Sequence, residues 1–439
     1  MSRINTNVQS LVAQRVLGLN NTNLSKSLER LSTGLRINRG KDDPAGLIAS
    51  EALRAELKAT NAAIANAQRA DQVVNIAEGG LQEISGLLTE LQGLLTASSN
   101  SAGLSQDERQ ANQLQIDSIL QTIDRISSST AFQGMKLLNG NMDYTVNSVS
   151  SAITDYRINA AKFTGASLDV DLVVTQSAQQ GALYLSMGGT SLNLNNAGDG
   201  NFTIEVAGSK GSRELSFASG TALSTIVNTI NSFTDVTGLV ASVGSTGFTI
   251  KAKDFGVDHF TSVKIVNEAG VQGTSSNLGI YNFLANNANA VDTTITALFN
   301  SNTAANGVRD AGQDIGATIN GITATSKGKT ARVNTDTLDL EVTLSTSNAQ
   351  TLQTFSAFTI TGGGASFQLA GNVDIAGKVS LGISDFAVRK LGTSSIGYLS
   401  DLASGKSFNI VDSDGTEAQK IVSEAIAQIS AARGRLGAF

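Results

Sequence analysis

One proline stands among 439 residues, and it is Pro44, inside the run KDDPAGL that separates two long amphipathic stretches. Before it, Val12, Val16, Leu19 and then Leu24, Leu28, Leu31 and Leu35 recur at three- and four-residue steps, which places them on one helix face. The phase slips between Asn20 and Asn23, which rotates the seam. Gly40 and Pro44 punctuate the two stretches. Asp43 is placed to accept backbone N–H groups at a helix start, and Pro44 fits a first helical turn because its missing donor is not needed there. From Ala45 the helical pattern continues to about Ala97, on the order of 50 residues or about 80 Å. Its seam passes Ile64, Ala67 and Val74, is interrupted by Asp71, and resumes at Leu81, Ile84, Leu88, Leu91 and Leu95. This periodicity is of the coiled-coil kind, sustained beyond ordinary helix length. So much apolar stripe on so thin a support exceeds what one chain covers, and Leu24, Leu28, Leu31, Leu81, Ile84, Leu88, Leu91 and Leu95 are therefore expected to pack between subunits.

A second rod element follows. Ser105 and Glu108 have capping-box spacing, and Ile116, Ile119, Ile123 and Ile126 mark one face. The link from Ser98 to Gly103 is short, so the element should fold back antiparallel. Near the far end, Glu417–Leu436 carries a further stripe through Val422, Ile426, Ile429 and Leu436.

Between these helical regions the character changes to Thr, Ser, Val, Gly and Asn in short alternating runs, such as NFTIEVAG (201–208), TGFTIKA (246–252) and LDLEVTL (338–344). They read as strands of mostly antiparallel sheets broken at Gly-containing turns. Arg213–Phe233 reads as strand, turn and short helix with Leu223, Ile226, Ile230 and Phe233 inward, followed by strands at Leu239–Val243 and Phe248–Lys251. A loose recurrence at Asp314–Thr335 suggests a second αβ module. The fold class is thus α+β: a long helical coiled-coil rod with an inserted, mostly antiparallel β region containing small αβ modules. The expected organisation is a terminal helix over 1–40, rod over 41–140, a β-rich surface region of two or more subdomains over 141–400, and the start of a returning rod helix over 401–439.

Chemistry is sparse. The chain has no Cys and one His, His259, which excludes disulfides, thiolate metal sites and His clusters; His259 reads as a surface residue. A net charge of -6 gives no support to a nucleic-acid partner. No apolar run reaches membrane-spanning length, and the opening residues lack the apolar core of a signal peptide, so an exported product needs another route. SKGKT at 326–330 lacks the first glycine of a phosphate loop, where Thr323 stands. Gly362–Gly364 does not lead into a helix with a dinucleotide signature. Asp412, Asp414 and Gly415 lack the spaced Glu of a calcium loop and read as a solvated turn. No catalytic residue, cofactor or metal site is expected.

The opening, from Ser2 through the run ending RAEL at Leu57, resembles the amino-terminal region of bacterial flagellins, and FQGMKLLNG at Phe132–Gly140 closes the similarity. Residues 213–238 more weakly resemble a small module often inserted in that family. SLGISDFAVRKLGTSSIGYLSDL and the last helical stretch resemble its return into the carboxyl region. The resemblance implies a non-enzymatic subunit that stacks helically into an extracellular motility filament, with terminal helices lining a channel and the middle facing water. It further implies export without a cleaved signal, contacts with the filament cap, junction proteins and export apparatus, and no membrane insertion. In the family a further terminal helix pairs with the first; here the sequence stops at Phe439. The chain is either truncated or a shorter paralogue, and truncation is favoured because Leu436 and Phe439 still call for a partner. The alternatives kept open are a hook–filament junction protein and an adhesive or glycan-binding outer region. The resemblance also places an innate-receptor contact on Thr89, Glu90, Leu91, Gln92 and Leu94, with Glu90 and Gln92 where many flagellins carry arginine.

Overall fold

The computed structural model describes all residues except 1–6, 101–102, 164, 196–199, 274–277, 285–286, 395 and 413–414. Packing separates two units, residues 1–72 with 367–379, and residues 73–366 with 380–439.

In the first unit, helix α1 spans Val8–Thr33. Asn7 caps its start by accepting the Ser10 N–H at 3.2 Å. Gly34 ends it at φ 69°, a left-handed conformation in which the missing Cβ removes the steric penalty. Helix α2 begins at Pro44, and Asp43 Oδ1 accepts the Gly46 N–H at 2.9 Å. The segment 367–379 belongs to the same unit, where Asn66 Nδ2 donates to the Gln368 carbonyl at 3.1 Å.

Helix α2 continues through the second unit to Ser98. Its buried positions there are Val73, Val74, Ala77, Leu81, Ile84, Leu88, Leu91, Leu95 and Ser98, and from Val74 onward they alternate in three- and four-residue steps without a break. The earlier part of the inward face passes through Ala63 and Ala70, whereas Ile64 and Ala67 are exposed. That corrects the expected phase. Helix α3, Gln106–Ser129, starts with the full Ser105/Glu108 capping box and buries Ile116, Ile119 and Ile123. It runs antiparallel to α2, since Asn112 Nδ2 donates to Ser98 Oγ at 3.0 Å while Gln115 Nε2 reaches Glu90 at 3.4 Å. The last helix, Thr416–Ala438, buries Val422, Ile429 and Leu436 and sends Arg433 to Glu78 of α2 at 3.2 Å. Leu436 and Leu81 face one small space with Leu381, Ile383 and Phe386. Leu436 is therefore already covered by this chain, and of the two residues expected to seek a partner only Phe439 is exposed. Residues 385–411 are fastened to α3 by side chains that satisfy backbone groups. Asp124 accepts the Val388 N–H at 2.8 Å, and the buried Gln113 donates to Leu402 O at 2.8 Å and accepts from Ile410 N at 3.0 Å.

The β region holds two cores, and its described ladders are antiparallel. One core, around Val170, Leu172, Ile319, Leu340, Val342 and Phe358, lies between two sheets. The first is ordered Ile322–Thr323, Gly316–Ile319, Leu168–Gln176, Thr354–Gly363, Tyr144–Asn147; the second Thr325–Lys327, Thr330–Asn334, Leu338–Leu344, Ile153–Ala161. The other core, around Phe202, Ile204, Phe248, Ile250, Val263 and Ile280, is built wholly from residues inserted between strands of the first. In it α4, Leu223–Ser232, buries Leu223, Ile226 and Ile230 beside the strands Leu239–Val243 and Gly247–Ala252. The loop between the strands Gly247–Ala252 and Phe260–Asn267 closes tightly on the chain that returns to the first core. Gly256 adopts φ 111°, and a Cβ on it would sit 2.4 Å from Asp314 Oδ1.

The second αβ module expected at Asp314–Thr335 is not one. Its described elements are four strands, Gly316–Ile319, Ile322–Thr323, Thr325–Lys327 and Thr330–Asn334. The reason is local: α4 has an apolar stripe at helical spacing, whereas 314–335 alternates at period two through Ile315, Ala317 and Ile319 and again through Ala331 and Val333, with the polar turn SKGK between.

The unequal burial of the two apolar series predicts unequal consequences. Leu88→Ala removes a side chain with 0% exposure and should destabilise the chain by about 2–5 kcal/mol. Leu31→Ala removes one that is 81% exposed and should change stability by no more than about 0.5 kcal/mol. Urea denaturation followed by circular dichroism measures both.

Candidate assembly surface

Helix α1 buries none of its residues. Val8, Val12, Val16, Leu19, Leu24, Leu28, Leu31 and, just beyond its cap, Leu35 are all exposed, and on α2 within the same unit Ile48, Leu53, Leu57 and Ile64 are exposed as well. Each scattered aliphatic would be unremarked on a protein surface, but here they recur at helical spacing over a whole helix and form a continuous uncovered apolar face. Its polar flank is organised. Residues 34–43 return along α1, where Lys26 meets Asp42 at 3.2 Å, Arg39 Nε donates to Glu29 at 2.8 Å, and Thr33 Oγ1 donates to Asn38 at 2.8 Å. The Lys26 hydrogen bond, helped by the Arg39 N–H, holds the Asp42 carboxyl below its usual range. The charged groups of this turn are thus paired within the unit while the apolar side chains of α1 are left uncovered by it.

The residues expected to pack between subunits divide into two groups. Leu24, Leu28 and Leu31 are 58%, 56% and 81% exposed. Leu81, Ile84, Leu88, Leu91 and Leu95 are buried within this chain, and their expected role at an interface between subunits is corrected: α3 and the last helix already lie against that stretch of α2. Length of stripe suggested assembly throughout because the sequence did not show which helices return beside it.

The expected receptor region is also divided. Thr89 and Glu90 are exposed, Gln92 and Leu94 half-buried, and Leu91 has no exposed surface. Leu91 occupies an inward step of the α2 seam and is not available to a partner while the helices are packed. Glu90 accepts from Gln115 on α3.

One feature of α2 went unread in the sequence although it is written there. Gly79, Gly86 and Gly93 are spaced by seven on the exposed face, and a Cβ added at any of them would meet nothing within 4 Å. Glycine in a helix interior costs about 1 kcal/mol relative to alanine, so this smooth strip is not explained by packing inside the chain. The signal is the period-seven glycine series, which lies on the face opposite the leucine seam.

Other residues singled out are structural. Gly328 of SKGKT turns a hairpin between Thr325–Lys327 and Thr330–Asn334. Gly362 and Gly363 end a strand, and Gly364 turns into the strand Ala365–Gln368. His259 is half-buried, its Nδ1 3.2 Å from Ser209 Oγ. Asp412 is exposed, and Asp414 lies outside the described residues. Among the described residues no group of three or more His, Cys, Asp or Glu side chains is placed to hold a metal ion, and no helix is long and apolar enough to cross a membrane.

Gly86→Ala should stabilise the isolated chain by about 0.5–1 kcal/mol, because the site is helical and open. Thermal denaturation of the dilute chain checks the sign, since a hidden intrachain contact at Gly86 would reverse it.

Comparison with known proteins gives two family matches. The bacterial flagellin N-terminal helical region matches residues 4–143, and the flagellin hook IN motif matches residues 201–254, which contain α4 and the strands on either side of it. The chain is similar to the flagellar filament 30.7 kDa core protein of Treponema maltophilum, with 35% identity over 174 residues, 40% of this chain and 60% of that protein. It is similar to polar flagellin F of Vibrio parahaemolyticus, with 33% identity over 186 residues, 42% of this chain and 47% of that one. The chain therefore spans about half to three-fifths of the length of these relatives. Among solved structures, FliC from Burkholderia pseudomallei aligns over 84% of this chain and 98% of that chain, at 14% identity and a TM-score of 0.27.

Proposed function

This chain is homologous to bacterial flagellins over its first third, and on that premise we propose that it is a structural subunit that polymerises helically into an extracellular flagellar filament for swimming. The single observation that carries the reading is the apolar face of α1, all of it exposed within a stretch matched by the flagellin N-terminal helical region. In the filament, Leu24, Leu28 and Leu31 pack against neighbouring subunits. The glycine strip at Gly79, Gly86 and Gly93 admits a close neighbour on the opposite side of the rod from its core. Pro44 with Asp43 is the hinge between terminal helix and rod, and the rod helices form a coiled coil. The β cores face water. The same reading makes the product non-enzymatic, exported without a cleaved signal, and a partner of further copies of itself, the cap and junction proteins and the export apparatus. The names of the relatives, filament core protein and polar flagellin, favour the filament over the junction.

Burying one leucine stabilises an interface by roughly 1.5–3 kcal/mol, and about 1.4 kcal/mol is a factor of ten. The double variant Leu28→Asp, Leu31→Asp should therefore raise the critical concentration for seeded polymerisation by roughly a hundredfold or more, with the thermal stability of the dilute chain unchanged. Sedimentation and electron microscopy read the result; filaments of ordinary length at ordinary concentration would refute the assignment of this face.

Where the resemblance puts an arginine in many flagellins this chain has the exposed carboxylate of Glu90, which repels an acidic receptor surface, while Leu91 is withheld in the core. The purified chain should be a weak agonist of the animal receptor that reads this region in flagellins, and Glu90→Arg should increase signalling in a reporter-cell assay. Signalling by the unaltered chain at the level of an arginine-bearing flagellin would contradict this.

A further inference from the structure

The second β core is joined to the first by two chain passes, residues 177–182 going out and 308–315 coming back. An insertion of this kind is ordinarily free to move against its host, because few contacts cross the joint. Here the two passes are paired with each other. Gln179 and Gln313 exchange both backbone hydrogen bonds, at 2.8 and 2.9 Å, and Asp310 Oδ2 accepts the Ala182 N–H at 2.7 Å. Thr261 Oγ1, fully buried, donates to the Gly181 carbonyl at 2.7 Å.

A third connection is not covalent. Residues 253–259, KDFGVDH, belong by sequence to the second core, between its strands Gly247–Ala252 and Phe260–Asn267. The one large apolar side chain of this polar run, Phe255, is half-buried and packs against the first core. Lys329, in the first core's hairpin, holds its Nζ 5.2 Å from the centre of the Phe255 ring. Asp314 Oδ1 accepts the Gly328 N–H of that hairpin at 2.7 Å and the Val257 N–H of the loop at 3.3 Å, so one carboxylate oxygen gathers backbone from both cores. The backbones approach so closely that a Cβ on Gly328 would stand 3.0 Å from the Phe255 carbonyl, and one on Gly312 2.5 Å from that of Gly256. Lys327 and Asp258 meet at 3.5 Å on the rim, where both are too exposed to contribute much.

We propose that residues 253–258 are a strap that locks the two β cores into one rigid body and one cooperative folding unit, with Phe255 as its anchor and Asp314 as its fastening. Turning the second core about its two passes would draw Phe255 from its seat and strip the Val257 N–H from Asp314. The first core is completed by a side chain that the second supplies, so loss of structure in one weakens the other.

Two measurements on the dilute whole chain test the strap. Spin labels on Ser224→Cys in α4 and Ser347→Cys in the helix Thr346–Gln350 of the first core, both exposed positions, report the distance between the cores. With the strap intact the distance distribution should be single and narrow. Phe255→Ala combined with Asp314→Ala should widen it about twofold or more, whereas Asp314→Asn, which keeps an acceptor oxygen, should leave it narrow. Hydrogen exchange reads the coupling: Phe255→Ala should lower protection of the first-core strands Leu168–Gln176 and Leu338–Leu344 about tenfold or more, although residue 255 lies in the other core's sequence. A broad or double distribution in the chain with the strap intact, which needs no altered strap residue to be seen, would overturn the proposal. So would first-core protection unmoved by Phe255→Ala. Neither measurement depends on polymerisation.

Discussion

The second unit depends on one apolar seam. From Val74 to Ser98 every third or fourth residue of α2 is buried, and the large ones, Leu81, Ile84, Leu88, Leu91 and Leu95, have almost no exposed surface. A helix alone could not keep these side chains from water. Helix α3 and the last helix are held beside it for that reason, and the polar ties at Ser98, Glu90 and Glu78 fix their register at the edges of the contact. The returning segment 385–411 is then pinned to α3 through Asp124 and Gln113, whose side chains satisfy backbone groups that burial would otherwise leave unpaired.

The first unit shows the same periodicity without the covering. Its leucines and valines recur at helical spacing on α1 and again at the start of α2, yet α1 buries none. The helix is delimited by local chemistry, the Asn7 cap and the left-handed Gly34, and by the ion pairs that fold residues 34–43 back along it. Local interactions of this kind shape a helix but do not hide its apolar face, so the face stays uncovered by this chain. One amphipathic pattern thus gives a covered seam in the second unit and an uncovered face in the first.

How much of this was legible in the sequence follows from the range of the interactions concerned. Caps, turns and periods are local, and the Ser105 capping box, the helix start at Pro44, α4 and the strands around it were readable from a few residues each. Whether a stripe is covered is not local. Leu31 and Leu88 have the same pattern around them, and only the return of α3 and the last helix distinguishes them, so the interface was expected at both. Leu91 was misjudged as a receptor contact for that reason, and Leu436 as a residue in want of a partner. The phase near Ile64 was misread because large side chains drew the seam, whereas the inward face there is carried by Ala63 and Ala70.

The chain contains no cysteine, so a single introduced thiol reports on one site without background. The most direct test of the central claim compares the labelling rates of Leu28→Cys and Leu88→Cys with a small thiol reagent, in the dilute chain and in sedimented polymer. The account predicts that Leu28→Cys reacts readily in the dilute chain and becomes protected on polymerisation, while Leu88→Cys is protected in both. A thiol at position 28 that is protected in the dilute chain, or that remains reactive in the polymer, would contradict it.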